Sequence, residues 1–298
     1  MDEQMTIQWF PGHMAKARRC LQEALPLADV AVELADARIP ESSRNPELDA
    51  LLADKPRLLL LNKSDLADPA ATARWKQYYA ACGLPTLAVD CKSGAGLNPL
   101  LPTVRELLQA QIERWNQKGM IGRKIRMMVL GIPNIGKSSF INKMAKTGVA
   151  RVEDRPGVTR GNQWYPVGSG YELLDTPGVL WPKFEDPRVG ERLAFTGAVR
   201  DEVLDGEQLA ARLAWELNRI VPALLRARYK LPDPLTAQNG YELLALIGRR
   251  RGMLISGGEV DTERAAVMLL DEFRSGKIGR ITLELPPQKA EGKGADAQ

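Results

Sequence analysis

Eight residues, Gly131-Ile132-Pro133-Asn134-Ile135-Gly136-Lys137-Ser138, carry the strongest chemical signal in the chain. Their spacing is G-x-x-x-x-G-K-[ST], a loop that cradles phosphate. Gly131 and Gly136 allow backbone angles and close approach that a Cβ would block. The N–H groups from Asn134 to Ser139, at the start of a helix, then face an anion. Lys137 brings a point charge to the outer phosphates, and the Ser138 hydroxyl suits Mg²⁺. At average residue frequencies the pattern arises by chance in roughly one per cent of chains this long. The apolar run 125–130 before it and the helical stretch after it lower that further.

Two more motifs select the nucleotide. In Asn62-Lys63-Ser64-Asp65, the Asp65 carboxylate can accept from the N1 and N2 donors of guanine, a pair that adenine lacks. Asn62 would tie this base loop to the phosphate loop, and the Lys63 stem would cover the ring. In Asp175-Thr176-Pro177-Gly178, Asp175 can hold Mg²⁺ through water and the Gly178 N–H can meet a γ-phosphate. Thr159, in the loop before, has a hydroxyl that could close over Mg²⁺ when the γ-phosphate is present. Taken singly, Thr159 reads equally well as a surface threonine.

Strands must place these loops on one edge. Apolar runs at 29–35, 57–61 and 85–89 precede polar loops and alternate with helical stretches at 46–53, 69–82 and 97–117. Two short strands, 163–167 and 171–174, read as a hairpin through Gly168-Ser169-Gly170. The alternation predicts a mostly parallel, doubly wound α/β sheet with the ligand at the strand carboxyl ends. Asp36-Ala37-Arg38-Ile39-Pro40 reads as a polar loop. From about residue 185 strands nearly vanish, and helices are expected over 189–196, 206–230 with a break at Pro222, 241–251 and 262–275. The expected organisation is a nucleotide domain with a basic N-terminal helix over 1–185, a small helical domain over 186–285 and a disordered tail over 286–298.

Composition fits a soluble globular chain of 298 residues, 44% hydrophobic and 26% charged. A net charge of +4 is a mild lean toward nucleic acid. Cys20, Cys82 and Cys91 are scattered, which argues against a disulfide framework or zinc site and for a cytoplasmic location. No apolar run reaches membrane-spanning length and no signal-peptide core is evident.

The motif order is unusual, because guanine-nucleotide domains normally place N-K-x-D last. A chance N-K-S-D or a circular permutation would explain it, and the strand before Asn62 favours permutation. Together with Trp9-Phe10-Pro11-Gly12-His13-Met14 and Asp36–Pro40, this order resembles the ribosome biogenesis GTPase A (YlqF-type) permuted GTPases, over about residues 6–285. The resemblance implies a circularly permuted P-loop GTPase domain followed by a small helical C-terminal domain. It implies GTP hydrolysis, at a low intrinsic rate stimulated by the ribosomal subunit. It implies late assembly of the large ribosomal subunit, docking as the GTP form on precursor particles and their ribosomal RNA, and a monomer. One position departs from the family: Asp90 stands where a serine is usual, which puts its contribution to the base loop in doubt.

Hydrolysis needs an oriented water. The residue after Gly178 is Val179, where many GTPases carry glutamine. His13, the one histidine, precedes a helix that could fold over the nucleotide, and the resemblance points to it; packing or RNA phosphate binding is the alternative. Asn134 resembles the asparagine of potassium-stimulated GTPases, where K⁺ replaces an arginine finger; a turn cap is the alternative. Lys16, Arg18 and Arg19 near the N-terminus, and Arg228, Lys230, Arg249, Arg250 and Arg251 in the helical part, are candidate RNA contacts. Cations at helix C-termini also have an ordinary structural role. A competing function is a nucleotide-dependent regulatory or tRNA-modification binding module with little turnover.

Overall fold

A strand buried along its whole length, β1 (Val30–Asp36), runs through the centre of the molecule. The structure is a computed structural model that describes residues 12–52, 55–145, 163–178, 181, 184, 186–199 and 205–287. Around β1 stand β2 (Arg57–Asn62), β3 (Thr86–Ala88), β4 (Ile125–Leu130), β5 (Gln163–Val167) and β6 (Tyr171–Asp175). They form one six-stranded sheet in the order β3-β2-β1-β4-β6-β5. All neighbours are parallel except β5 and β6, a hairpin turned through Gly168-Ser169-Gly170.

Burial on both faces explains why these strands read as continuous apolar runs rather than alternating ones. Successive side chains still point to opposite sides. Val30, Val32, Leu34, Leu58, Leu60, Met127 and Val129 join one apolar cluster. Ala31, Met128 and Leu130 join a second with Leu21 and Ala24 of α1 (Gly12–Ala24) and Leu48 of α2 (Glu47–Leu51). Ala35, Leu59 and Leu61 join a third, with Trp75 and Tyr79 of α3 (Pro69–Ala81). Asp68 caps α3 by accepting from the Ala71 N–H.

The helix expected over 97–117 is two helices, α4 (Leu100–Leu107) and α5 (Gln109–Gln117). Buried Leu108 leaves helical angles between them, at φ −102° and ψ 8°. The phosphate-loop helix is α6 (Lys137–Ala145). After β6 come α7 (Pro187–Phe195), α8 (Gly206–Ile220), α9 (Pro222–Tyr229), α10 (Gly240–Arg250) and α11 (Thr262–Arg274). Pro222 starts α9, where its missing N–H costs nothing. Asp205, Asn239 and Asp261 cap α8, α10 and α11. The largest cluster runs without interruption from β1 and β4 into Leu193, Leu213, Leu244 and Leu269 of these helices.

The loop expected over 36–40 follows the end of β1, and it is buried. Asp36, Ala37, Arg38 and Ile39 are all at most 2% exposed. The reason is the chain after α11. Residues 277–285 return across the molecule, and the Leu283 N–H donates to Arg38 O at 2.8 Å while Thr282 Oγ1 donates to Ala37 O at 3.2 Å. Most of the sequence expected to form the tail, 288–298, lies outside the described residues.

Candidate functional site

The carboxyl ends of β1, β2, β4 and β6 share one edge. Register fixes this: Asp36 pairs with Asn62 across β1 and β2, and Val129 with Asp175 across β4 and β6. All three sequence motifs therefore open onto the same edge, although 110 and more residues separate Asn62 from Asp175.

Three side chains knit the motifs together. Asn62 is 3% exposed and satisfied on both atoms of its amide. Its Nδ2 donates to Ile135 O at 2.7 Å, and its Oδ1 accepts from the Cys91 N–H at 2.9 Å. One residue thus joins the β2, β3 and β4 loops. Lys63 reaches Asp36 Oδ2 at 3.1 Å and donates to Asn134 O at 3.3 Å. Burial would raise the Asp36 carboxyl, but Arg38 and Lys63 outweigh it and hold it well below the usual carboxylate range. Arg38 grips Asp36 at 2.9 and 2.7 Å and donates onward to Arg274 O at 3.3 Å, at the end of α11.

The phosphate loop is folded on itself. Lys137 Nζ donates to Gly131 O at 2.9 Å and Ile132 O at 2.8 Å. Its enclosure pushes the ammonium down to about 8, with Asp175 nearby partly offsetting that. Gly136 holds φ +103°, and a Cβ there would stand 2.5 Å from Asn62 Nδ2. A Cβ on Gly178 would stand 2.9 Å from both Lys137 Nζ and Pro133 N. Asp175-Gly178 therefore lies directly against the phosphate loop. Lys63 and Asn134, neither a glycine, also hold positive φ, +57° and +56°. Strained backbone of this kind collects at binding sites.

Oxygen donors for a hard divalent cation are present in Ser138, at the start of α6, and in buried Asp175, at the end of the neighbouring strand. This donor set fits Mg²⁺, which GTPases generally use. Asp65 is exposed and has no hydrogen-bond partner among the described residues, so its carboxylate is open to a ligand. Asp90 shapes the base loop: its carboxylate accepts from the Lys92 and Ser93 N–H groups at 2.8 and 3.2 Å. The Cys91 thiol is buried and pushed up to about 12, with Asp90 adding to the effect, which leaves only its backbone as a polar contributor.

Comparisons with known proteins agree with this geometry. Residues 126–211 match the 50S ribosome-binding GTPase family. Ribosome biogenesis GTPase A of Priestia megaterium is 48% identical over 285 residues, covering 95% of this chain and 98% of that protein. The chain belongs to the ribosome biogenesis GTPase A family. As a member it is a GTPase of ribosome assembly, in a permuted P-loop fold. A more distant relative, mouse mitochondrial ribosome-associated GTPase 1, is 35% identical over 300 residues, covering 93% of this chain and 90% of its own. A GDP-bound structure of YlqF superposes with a TM-score of 0.64 at 25% identity, covering 89% of this chain and 98% of YlqF. A GNP-bound YlqF from T. maritima gives a TM-score of 0.63.

Several expected site residues stand apart from this cluster. His13 and Lys16 belong to α1, but their side chains lie outside the described residues, as do Thr159 and Val179. Arg18 is exposed and 3.8 Å from Glu47, while Arg19 is exposed. Arg228 and Arg251 are ion-paired. Both are engaged by Glu272, at 2.6 and 3.1 Å, with Tyr229 donating to the same carboxylate at 2.9 Å. Lys230, Arg249 and Arg250 are exposed, with no ion pair among the described residues. Asn134 donates from Nδ2 to Gly197 O at 3.1 Å, beyond α7. Sequence reasoning missed the pairing of Asp36 with Arg38 and the strap 277–285. An acid two residues before an arginine at a strand end is the one local signal that could have found the first.

Proposed function

We propose that this chain hydrolyses GTP while bound to a precursor of the large ribosomal subunit, docking as the GTP form and leaving after hydrolysis. The observation that carries the reading is the convergence of Asn62–Asp65, Gly131–Ser138 and Asp175–Gly178 on one sheet edge, with Asn62 bonded to two of the loops. The base would lie against Lys63, with Asp65 accepting from guanine N1 and N2; the Cys91 N–H, expected to meet the guanine oxygen, is instead spent on Asn62 Oδ1 at 2.9 Å. Lys137 would leave its two carbonyl partners for the outer phosphates, helped by the N–H groups of Asn134, Ile135, Gly136, Ser138 and Ser139. Ser138 and Thr159 would hold Mg²⁺ directly and Asp175 through water; the ion neutralises charge developing on the phosphates.

Gly178 would place its N–H on the γ-phosphate and His13 would orient the attacking water. Asn134 is the candidate K⁺ ligand through its amide oxygen. Docking is assigned to the helical domain 186–285 and to the N-terminal helix of the GTPase domain 1–185. Lys16, Arg18, Arg19, Lys230, Arg249 and Arg250 would supply phosphate contacts there, with Arg228 and Arg251 joining only by leaving Glu272. The working form is a cytoplasmic monomer. No described helix is long and apolar enough to cross a membrane.

The deciding experiment is GTP turnover with and without large-subunit precursor particles. Turnover should rise with particles, and His13→Ala should abolish the rise. Unchanged turnover on adding particles would sink the reading.

A further inference from the structure

Asp65 is the residue on which guanine selection rests in the reading above, and the inference here depends on that reading. Its loop is not held by its own helix alone. On one side of Asp65, Arg280 Nη2 donates to Ser64 O at 2.9 Å. On the other side, Arg280 Nε donates to Ala67 O at 3.0 Å, the Ile281 N–H donates to Leu66 O at 2.9 Å, and Thr282 Oγ1 accepts from the Asp68 N–H at 3.1 Å. Gly276 packs so close that a Cβ would stand 2.8 Å from Leu66. Backbone groups of Ser64, Leu66, Ala67 and Asp68 are thus claimed by the strap, and the Asp65 side chain, between them, is exposed with no partner among the described residues.

The strap is itself anchored at depth. Glu284 is 8% exposed and accepts from the Ser42 N–H at 2.9 Å and from Arg192 Nη1, on α7, at 2.9 Å. Its backbone oxygen accepts from Trp75 Nε1 at 2.9 Å. Leu283 is bonded to Arg38. A strap fixed this firmly can hold a loop to sub-ångström tolerance, which a pair of directed hydrogen bonds to one base edge requires.

We propose that Arg280 is a positioning residue for guanine selection: it fixes the loop on both flanks of Asp65 so that the carboxylate meets the N1 and N2 donors. Arg280 touches no nucleotide in this arrangement. Its planar fork spans two carbonyls three residues apart, a geometry that a lysine point charge reproduces only in part.

The test compares GDP with inosine diphosphate, which lacks the N2 amino group and so loses half of the Asp65 contact. Both are titrated calorimetrically into wild-type protein, Arg280→Ala, Arg280→Lys and the near-isosteric Thr282→Val, with melting temperatures recorded alongside. Wild type should prefer GDP. Arg280→Ala should bind GDP about fivefold more weakly, the worth of one or two hydrogen bonds at the surface, and inosine diphosphate, which keeps only the N1 contact, about twofold more weakly. Arg280→Lys should recover part of the preference, and Thr282→Val should lose it as Arg280→Ala does. An equal fall for both nucleotides, or no change in either, would overturn the proposal and leave Arg280 a mere staple. Should wild type itself not distinguish the two nucleotides, guanine reading by Asp65 fails first and the inference falls with it.

Discussion

The two ends of the nucleotide site are built in opposite ways. The phosphate end is local: one loop of eight residues, its lysine folded onto carbonyls five and six positions earlier. On the proposed reading its binding power would come from backbone N–H groups and one charge. The base end is assembled from afar. Asn62 draws in residues 29 and 73 positions away, Lys63 draws in Asp36, and Arg280 crosses 216 positions to Ser64. Phosphate affinity is therefore a property of a loop, and base selection a property of the whole fold.

Breaking the phosphate loop should have the largest effect. Gly136→Ala must accommodate φ +103° and a Cβ 2.5 Å from Asn62 Nδ2. A cost near 3 kcal/mol predicts a loss of nucleotide affinity on the order of 100-fold. Calorimetry should find GDP and inosine diphosphate weakened alike, since the phosphates are common to both. Asn62→Ala comes next. It strands the Cys91 N–H and the Ile135 carbonyl in a buried setting, at about 1–3 kcal/mol in total, and predicts roughly tenfold or greater loss together with a lower melting temperature.

A pH series separates the two ends without mutation. The enclosed Lys137 of the nucleotide-free protein releases its proton near pH 8, against 10.5 when unfolded. Between those values the unfolded chain binds more protons, so this group makes the nucleotide-free fold more stable as pH rises from about 8 to about 10.5. GDP affinity should move the other way, falling by up to about tenfold per unit above pH 8, because phosphate selects the charged lysine. Melting curves with and without GDP across pH 7–10 check both signs. Parallel trends would show that Lys137 does not meet phosphate.

The smallest effect on the site is expected from Glu272→Gln. It loosens Arg228, Arg251 and Tyr229, none of them in the motifs. Melting should drop by a few degrees, the partly buried pair being worth about 1–2 kcal/mol, while GDP affinity stays put. The variant also frees two arginines, so RNA binding should rise and become more salt-dependent. A fall in RNA binding would mean that the Glu272 network itself presents the RNA-facing surface.

What the sequence disclosed follows the same division. Gly131–Ser138 is legible because its chemistry is written in consecutive residues, and Asn62–Asp65 because it ends an apolar run. That the sheet would be mostly parallel could be argued from alternation of strand and helix. Burial of Asp36–Ile39 could not. Nothing near residue 36 announces that residues 282 and 283 will cover it, and a segment as polar as Asp-Ala-Arg reads as surface. The partner of Arg228 and Arg251 was hidden for the same reason: Glu272, which pairs with both, lies 44 and 21 positions away. Periodicity reports which face of a helix is apolar, but not which distant carboxylate meets its cations.

The strap also sets a timetable. Translation delivers the guanine-reading loop before the phosphate loop, and delivers residues 280–284 after both. The bonds that fasten the loop span 213 to 216 positions. Closures of this length form late in folding, because the intervening chain must surrender its freedom first. If the strap positions Asp65 as proposed, the base site of a nascent chain stays loosely fastened until residues 280–284 are free to pack against it, and firm discrimination among nucleotides waits for them.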